Sequence, residues 1–197
     1  MSKRRLDGEK TKQHIVEKAT ELFSQKGYSA TSIEDICQAT GASKGSLYYH
    51  FKNKEQLFLH LLEKQYNEWV DLWQEKEKEF ETSIDKLYGL AAFFLEDFLS
   101  HPLKKAGEEF SGSQLADPVI LEQVLEMLSS SYTLYTSIFQ EGIDRGDFAP
   151  CDPEEMAMIL EGLMNGIINV GYQMDDERLH ALLKRSIDVL LHGIVAK

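Results

Sequence analysis

Proline is scarce in this chain, 4 residues in 197, and cysteine scarcer still at 2. With so few helix breakers, and with long stretches rich in Leu, Glu, Lys, Ala and Met, the composition points to an all-α protein. Cys37 and Cys151 lie too far apart in sequence to form a Cys-based metal motif, and two cysteines make no disulfide framework. Cys37 falls on the apolar side of a predicted helix, as a buried free thiol would, and Cys151 falls in a Pro/Asp turn. Long apolar runs are missing too. Uncharged stretches such as Gly162 to Met174 fall short of the roughly 18 residues that a membrane span needs. The opening MSKRRLDGEKTKQ lacks the apolar segment of a secretory signal, so the expected location is the cytoplasm.

Motifs of catalysis are also absent. The chain has no P-loop, no G-x-G-x-x-G, no H-E-x-x-H and no G-x-S-x-G. His14, His50, His60, His101, His180 and His192 are scattered without metal-ligand spacing. The expectation is therefore no catalytic residue, no metal and no cofactor. The protein reads as a binding protein rather than an enzyme.

What is present is an uneven charge. The net charge of −12 argues against nucleic acid only if it is spread evenly, because phosphate binding needs local Lys and Arg. Residues 1–54 hold 10 Lys and Arg against 6 Asp and Glu, a surplus of +4. The other 143 residues hold 11 against 27, or −16. A basic head on an acidic body would be oriented on DNA by its own field.

Helical periodicity divides the chain into about nine helices. Residues 1–9 are polar and basic without periodicity and read as a flexible arm, either a solvated terminus or a minor-groove contact. Ile15, Ala19, Leu22 and Phe23 recur on one face of a helix from about Lys10 to Lys26, which Gly27 ends. Thr31 or Ser32 caps a second helix, with Asp35 placed to complete a capping box, and Gly41 makes the next turn. Ser43 caps a third helix, about Lys44 to His50.

The third helix has the chemistry of a groove reader. Lys44 carries a charged donor, Gly45 leaves the backbone free to approach a groove floor, and Ser46 donates or accepts. Tyr48, Tyr49 and His50 suit phosphate oxygens, while Leu47 and Phe51 turn back to anchor the helix. Lys52 and Lys54 open the following helix, where the dipole adds to their attraction for phosphate. Helix-turn-helix units place such a second helix in the major groove.

The ordered set from an apolar helix ending Gly27-Tyr28, through Thr31-Ser32-Ile33 and Ile36, to GASKGSLYYHFKNK resembles the DNA-binding domain of the TetR family of bacterial transcriptional regulators. The match covers residues 10–58, about a quarter of the chain. The resemblance implies that Lys44 and Gly45 reach base edges and that Ser32, Tyr48, Tyr49, His50 and Lys54 hold phosphates. It divides the chain into a helix-turn-helix domain, 1–54, and a helical ligand-binding and dimerisation domain, 55–197. The implied partners are a double-stranded DNA operator, a second copy of the chain and a small-molecule inducer.

The body supplies candidates for the last two partners. Leu160, Leu163, Met164 and Ile167 on one terminal helix, and Leu183, Ile187, Leu190 and Leu191 on the other, form apolar faces that either complete the monomer core or meet a second subunit. The resemblance implies a four-helix dimer interface. Aromatic residues are abundant: Trp69, Trp73, Phe93, Phe94, Phe98, Phe110, Tyr132, Tyr135, Phe139 and Tyr172. They read as core, or in part as a ligand pocket, for which Trp69, Trp73, Phe94, Phe98, Tyr132, Tyr135 and Phe139 are selected. Asn165 and Asn169, one turn apart, would orient a ligand or bond across a dimer. The function implied is a repressor released by a ligand. The alternative is a DNA-binding protein of the same fold that acts through a protein partner.

Overall fold

The computed structural model describes residues 3–114, 117–171 and 173–194. Among them are nine α-helices: α1 (Lys3–Lys26), α2 (Ile33–Thr40), α3 (Lys44–His50), α4 (Lys54–Lys76), α5 (Ser83–Ser100), α6 (Lys104–Gln114), α7 (Pro118–Arg145), α8 (Pro153–Val170) and α9 (Asp176–Ile194), with a 3-10 turn at Glu77–Glu79. The all-α expectation holds.

Side-chain caps set most of the helix starts. Ser32 Oγ accepts from Asp35 N at 3.1 Å while the Asp35 carboxylate accepts from Ser32 N at 2.9 Å, so both halves of the capping box are closed. Ser43 Oγ accepts from Ser46 N at 3.1 Å, Asn53 Oδ1 from Gln56 N at 2.8 Å and Thr82 Oγ1 from Asp85 N at 3.0 Å. Asp117 and Asp152 do the same before Pro118 and Pro153, where a missing proline N–H costs nothing. Gly27 and Gly41 have φ of +86° and +69°, left-handed values that favour glycine, and they end α1 and α2.

One sequence expectation is corrected. Residues 3–9, expected as a flexible arm, are the first turns of α1; Lys, Arg, Leu and Glu favour helix there and outweigh Asp7 and Gly8. The helix that follows α3 stops as α4 at Lys76 and tightens into the 3-10 turn. Residues Lys104–Gln114 form α6. Tyr172, counted among the body aromatics, lies outside the described residues.

The chain packs as two compact units. One comprises residues up to Asn67 together with His101–Leu125, and the other comprises Glu68–Ser100 and Glu126 onward. The unit carrying the N-terminal helices thus takes in more chain than residues 1–54. Its core joins Ile15, Phe23, Ile36, Leu47 and Leu57 to Leu103, Ala106 and Phe110 of the α6 region. Phe110 lies 5.0 Å from both the Tyr28 and Phe58 rings, with an edge-on contact to Tyr28. In the second unit Trp73, Leu87, Leu95, Tyr135, Phe139, Leu160, Met164 and Ile187 are fully or almost fully buried. Of α5, one side is core while Phe93, Phe94 and Phe98 are half-buried against it.

Candidate nucleic-acid interface

The geometry of α3 follows from two anchors. Leu47 is fully buried and Phe51 nearly so, which turns the opposite side of this short helix outward. On that side Tyr48 is 50% and Tyr49 83% exposed, large apolar rings with no partner in the core. Tyr49 lies edge-on to His50 at 5.0 Å. Gly45 has open space around it: an added Cβ would approach only Ser43 Oγ, at 3.9 Å. Nothing inside the chain therefore demands glycine there, while a close approach from outside would.

Lys44, at the head of α3, is exposed and ion-paired with Glu34 in the first turn of α2. The Lys44 ammonium holds the Glu34 carboxyl below its usual range, and Glu34 in turn raises Lys44. Beside them, Asp35 is held down to about 2, first by the Ser32 hydroxyl and backbone and then by Lys26.

Other nominated residues are already engaged within the fold. Ser32 gives its hydroxyl proton to Asp35 at 2.6 Å, and Ser43 spends its oxygen on the α3 cap; both fix where α2 and α3 begin. Lys54 departs furthest from its expected role. Its ammonium donates to the Tyr28 and Thr31 carbonyls at 3.1 and 3.2 Å and lies 4.1 Å from the centre of the Tyr28 ring. It pins the α1–α2 connection to the start of α4. Lys52 remains exposed.

Sequence reasoning missed two groups. Lys10, Thr11 and His14 of α1 border a cleft of about 360 Å³ with Thr40 to Ser43 and Ser46, so α1 lies beside the turn that precedes α3. The basic start of the chain was the signal for it. Glu34 was overlooked because nothing in the sequence shows that it reaches Lys44, ten residues on.

In the second unit the nominated residues separate by burial. Trp69, Trp73, Tyr135 and Phe139 are core, Phe94, Phe98 and Tyr132 are half-buried against it, and Asn165 and Asn169 are exposed. Asn165 donates to Glu161 on its own helix. None of these residues borders the groove of about 690 Å³ that runs between the start of α5 and α9, past Phe80, Tyr88, Ala92, Leu95, Leu183 and Lys184. Of the apolar faces on α8 and α9, Leu160, Met164, Leu183, Ile187, Leu190 and Leu191 are buried in the unit's own core, and Leu163 and Ile167 pack half-buried on it. The side of α8 that faces out carries Met158, Ile159, Gly162, Gly166 and Val170 instead. Cys37 and Cys151 are free thiols, each half-buried. No helix among the described residues is long and apolar enough to cross a membrane.

An all-α chain whose capped, glycine-turned third helix shows lysine and tyrosine to solvent is a helix-turn-helix transcriptional regulator in form. Residues 15–61 match the model of the bacterial regulatory proteins of the tetR family, and residues 65–196 match the QacR-like protein, C-terminal region. The chain belongs to the TetR family of bacterial transcriptional regulators, with a QacR-like C-terminal region. It is 29% identical over 183 residues to the HTH-type transcriptional regulator QacR of Staphylococcus aureus, covering 93% of this chain and 97% of that protein. It is 29% identical over 140 residues to IcaR of Staphylococcus epidermidis, a negative transcriptional regulator of the icaADBC biofilm operon, covering 70% and 75% of the two chains. Among solved structures it shares its fold with the transcriptional regulator FadR of Bacillus subtilis in complex with stearoyl-CoA, at a TM-score of 0.74 and 21% identity, covering 92% and 98%. These relatives are named as regulators, and the protein is a DNA-binding transcriptional regulator rather than an enzyme.

Proposed function

We propose that the protein is a dimeric repressor that acts in the cytoplasm and is released from a pseudo-palindromic operator by a small molecule bound in its C-terminal unit. The observation that carries the DNA half is α3: two buried anchors and two exposed tyrosines behind an exposed Lys44. In this reading Lys44 and Gly45 meet base edges, and Tyr48, Tyr49, His50 and Ser46 meet the backbone, with Ser32 and Ser43 presenting helix starts to phosphate. Lys54 acts at one remove, by fixing the α1–α2 connection.

The second subunit is assigned to the outward side of α8, where Ile159, Gly162, Gly166 and Val170 make an unpartnered strip and Cβ atoms at both glycines would meet nothing. Glycine pairs one turn apart let helices approach closely, and Val189 of α9 is 66% exposed. A twofold pair would offer two copies of α3 to half-sites about 34 Å apart or a multiple of it.

The ligand is assigned to the aromatic body. The Trp73 indole N–H is fully buried and has no acceptor, a loss of about 1–3 kcal/mol that a ligand oxygen would recover. Phe80 stacks 6.0 Å from Trp73 and borders the α5–α9 groove, so a ligand that displaces Phe80 gains the tryptophan beneath it. To release DNA it must bind the DNA-incompetent state more tightly than the competent one.

The test begins with duplexes recovered by the protein from a randomised library. An inverted repeat should be enriched, and Lys44→Ala and Tyr48→Ala should lose it while remaining dimeric by sedimentation and unchanged in melting. Retention of the enriched duplex by both variants would remove α3 from the interface.

A further inference from the structure

Glu34 is a carboxylate on the one face of this chain that is proposed to meet a polyanion, and the fold does not need it. Its capping neighbours are Ser32 and Asp35, whose box closes without it. Its ion pair with Lys44 is 63% exposed on the Glu34 side and 57% on the Lys44 side, and exposed pairs of this kind add little to stability. The pair does two things to recognition. It occupies the ammonium that would otherwise bind any phosphate on any sequence, and it places an acceptor beside that donor.

A lysine alone is a flexible point charge whose attraction to DNA carries no sequence information. A lysine and a carboxylate side by side are a donor and an acceptor. In the major groove guanine shows the acceptors O6 and N7, and cytosine shows an amino donor at N4. A phosphate satisfies Lys44 but repels Glu34; a G·C pair, or neighbouring G and C edges, satisfies both.

We propose that Glu34 is a specificity-determining residue, acting with Lys44 as a donor–acceptor couple that reads guanine and cytosine edges and disfavours phosphate. The proposal rests on the DNA-binding reading of α3. Removing the negative charge frees Lys44 for the backbone, so indiscriminate affinity should rise and base choice should relax.

The experiment uses the full-length protein, the enriched duplex from the library selection and a scrambled duplex of the same composition. Wild type, Glu34→Gln, Lys44→Gln, the double variant and the control Glu21→Gln are compared at several salt concentrations. Glu21 is an exposed carboxylate of α1 paired with Lys18, so its variant makes the same charge change elsewhere on the head. Glu34→Gln should bind the scrambled duplex several-fold more tightly, with a salt slope steeper by about one unit per subunit. The ratio of enriched to scrambled affinity should drop by roughly fivefold or more, the scale of one lost base contact. A repeat of the selection with Glu34→Gln should lose its preference at one G·C position in each half-site. The effect should vanish in the Lys44→Gln background. Equal tightening on both duplexes with an unchanged selected motif would reduce Glu34 to a repulsive charge and overturn the proposal, as would no change at all. A wild-type protein that enriches no duplex would remove the DNA reading itself, and the proposal with it. Melting curves of each variant confirm that the α2 cap survives.

Discussion

Replacing Lys54 by methionine separates a residue that holds DNA from one that holds the fold. The sequence places this lysine at the phosphate-facing start of a helix, whereas the structure engages its ammonium with two carbonyls and the Tyr28 ring. Methionine keeps most of the aliphatic stem and loses the charge. Each hydrogen bond from a charged donor to a carbonyl at this half-buried position contributes about 1 kcal/mol, and the ring contact adds about 0.5–1 kcal/mol. The change should therefore destabilise the protein by roughly 2–3 kcal/mol. For a chain of 197 residues that corresponds to about 5–10 °C in melting temperature, readable by circular dichroism. In parallel, affinity for the enriched duplex is measured across salt concentrations. A structural Lys54 predicts a lower melting temperature and an unchanged salt slope in the protein that remains folded. An unmoved melting temperature with a slope shallower by about one unit per subunit would refute the reasoning and return Lys54 to the phosphates.

Two further outcomes follow from the head. Leu47→Ala removes a fully buried anchor and should cost about 2–5 kcal/mol, so binding and melting temperature fall together; a variant that melts like wild type would mean that α3 is not held from behind. His60 has its pKa lowered first by burial and then by the Lys12 ammonium, with Glu63 opposing. The fold therefore favours the neutral ring, and that contribution is complete above the ordinary value of 6.5 and lost as pH falls through the lowered one. Wild type should lose melting temperature between pH 7 and about pH 5, and His60→Gln should lose less; parallel curves would show that His60 does not carry the dependence.

The parts that were legible in the sequence are those set by near neighbours. Gly27, the Ser32–Asp35 box and Ser43 all act within a few residues, so their spacing is their geometry. The head of the DNA reader was legible for the same reason. The parts that were not legible depend on which surface a side chain finds across the fold. Periodicity shows that Leu160 and Met164 share a face of α8, but it is silent on whether that face meets α9 of the same chain or of another; here the near face is filled from within and the glycine side is left outward. Lys54 finds carbonyls 23 and 26 residues earlier, and no pattern of residue types announces them. Asn165 was expected to orient a ligand or to bond across a dimer, and periodicity could not choose between the two; it sits on the outer side of its helix, bonded to Glu161.

The carboxylate of Glu109 on α6 accepts from Ser29 N at 2.8 Å and fills the space beside Gly27, while Phe110 next to it closes the aromatic cluster of Tyr28 and Phe58. The DNA-binding part is consequently not a cassette that ends where the helix-turn-helix ends. A fragment cut after residue 67 would uncover Tyr28 and Phe58 and leave the Ser29 amide without its acceptor. A chimaera that grafts this head onto another regulator's body would have to bring residues 101–125 with it, or rebuild the surface they cover.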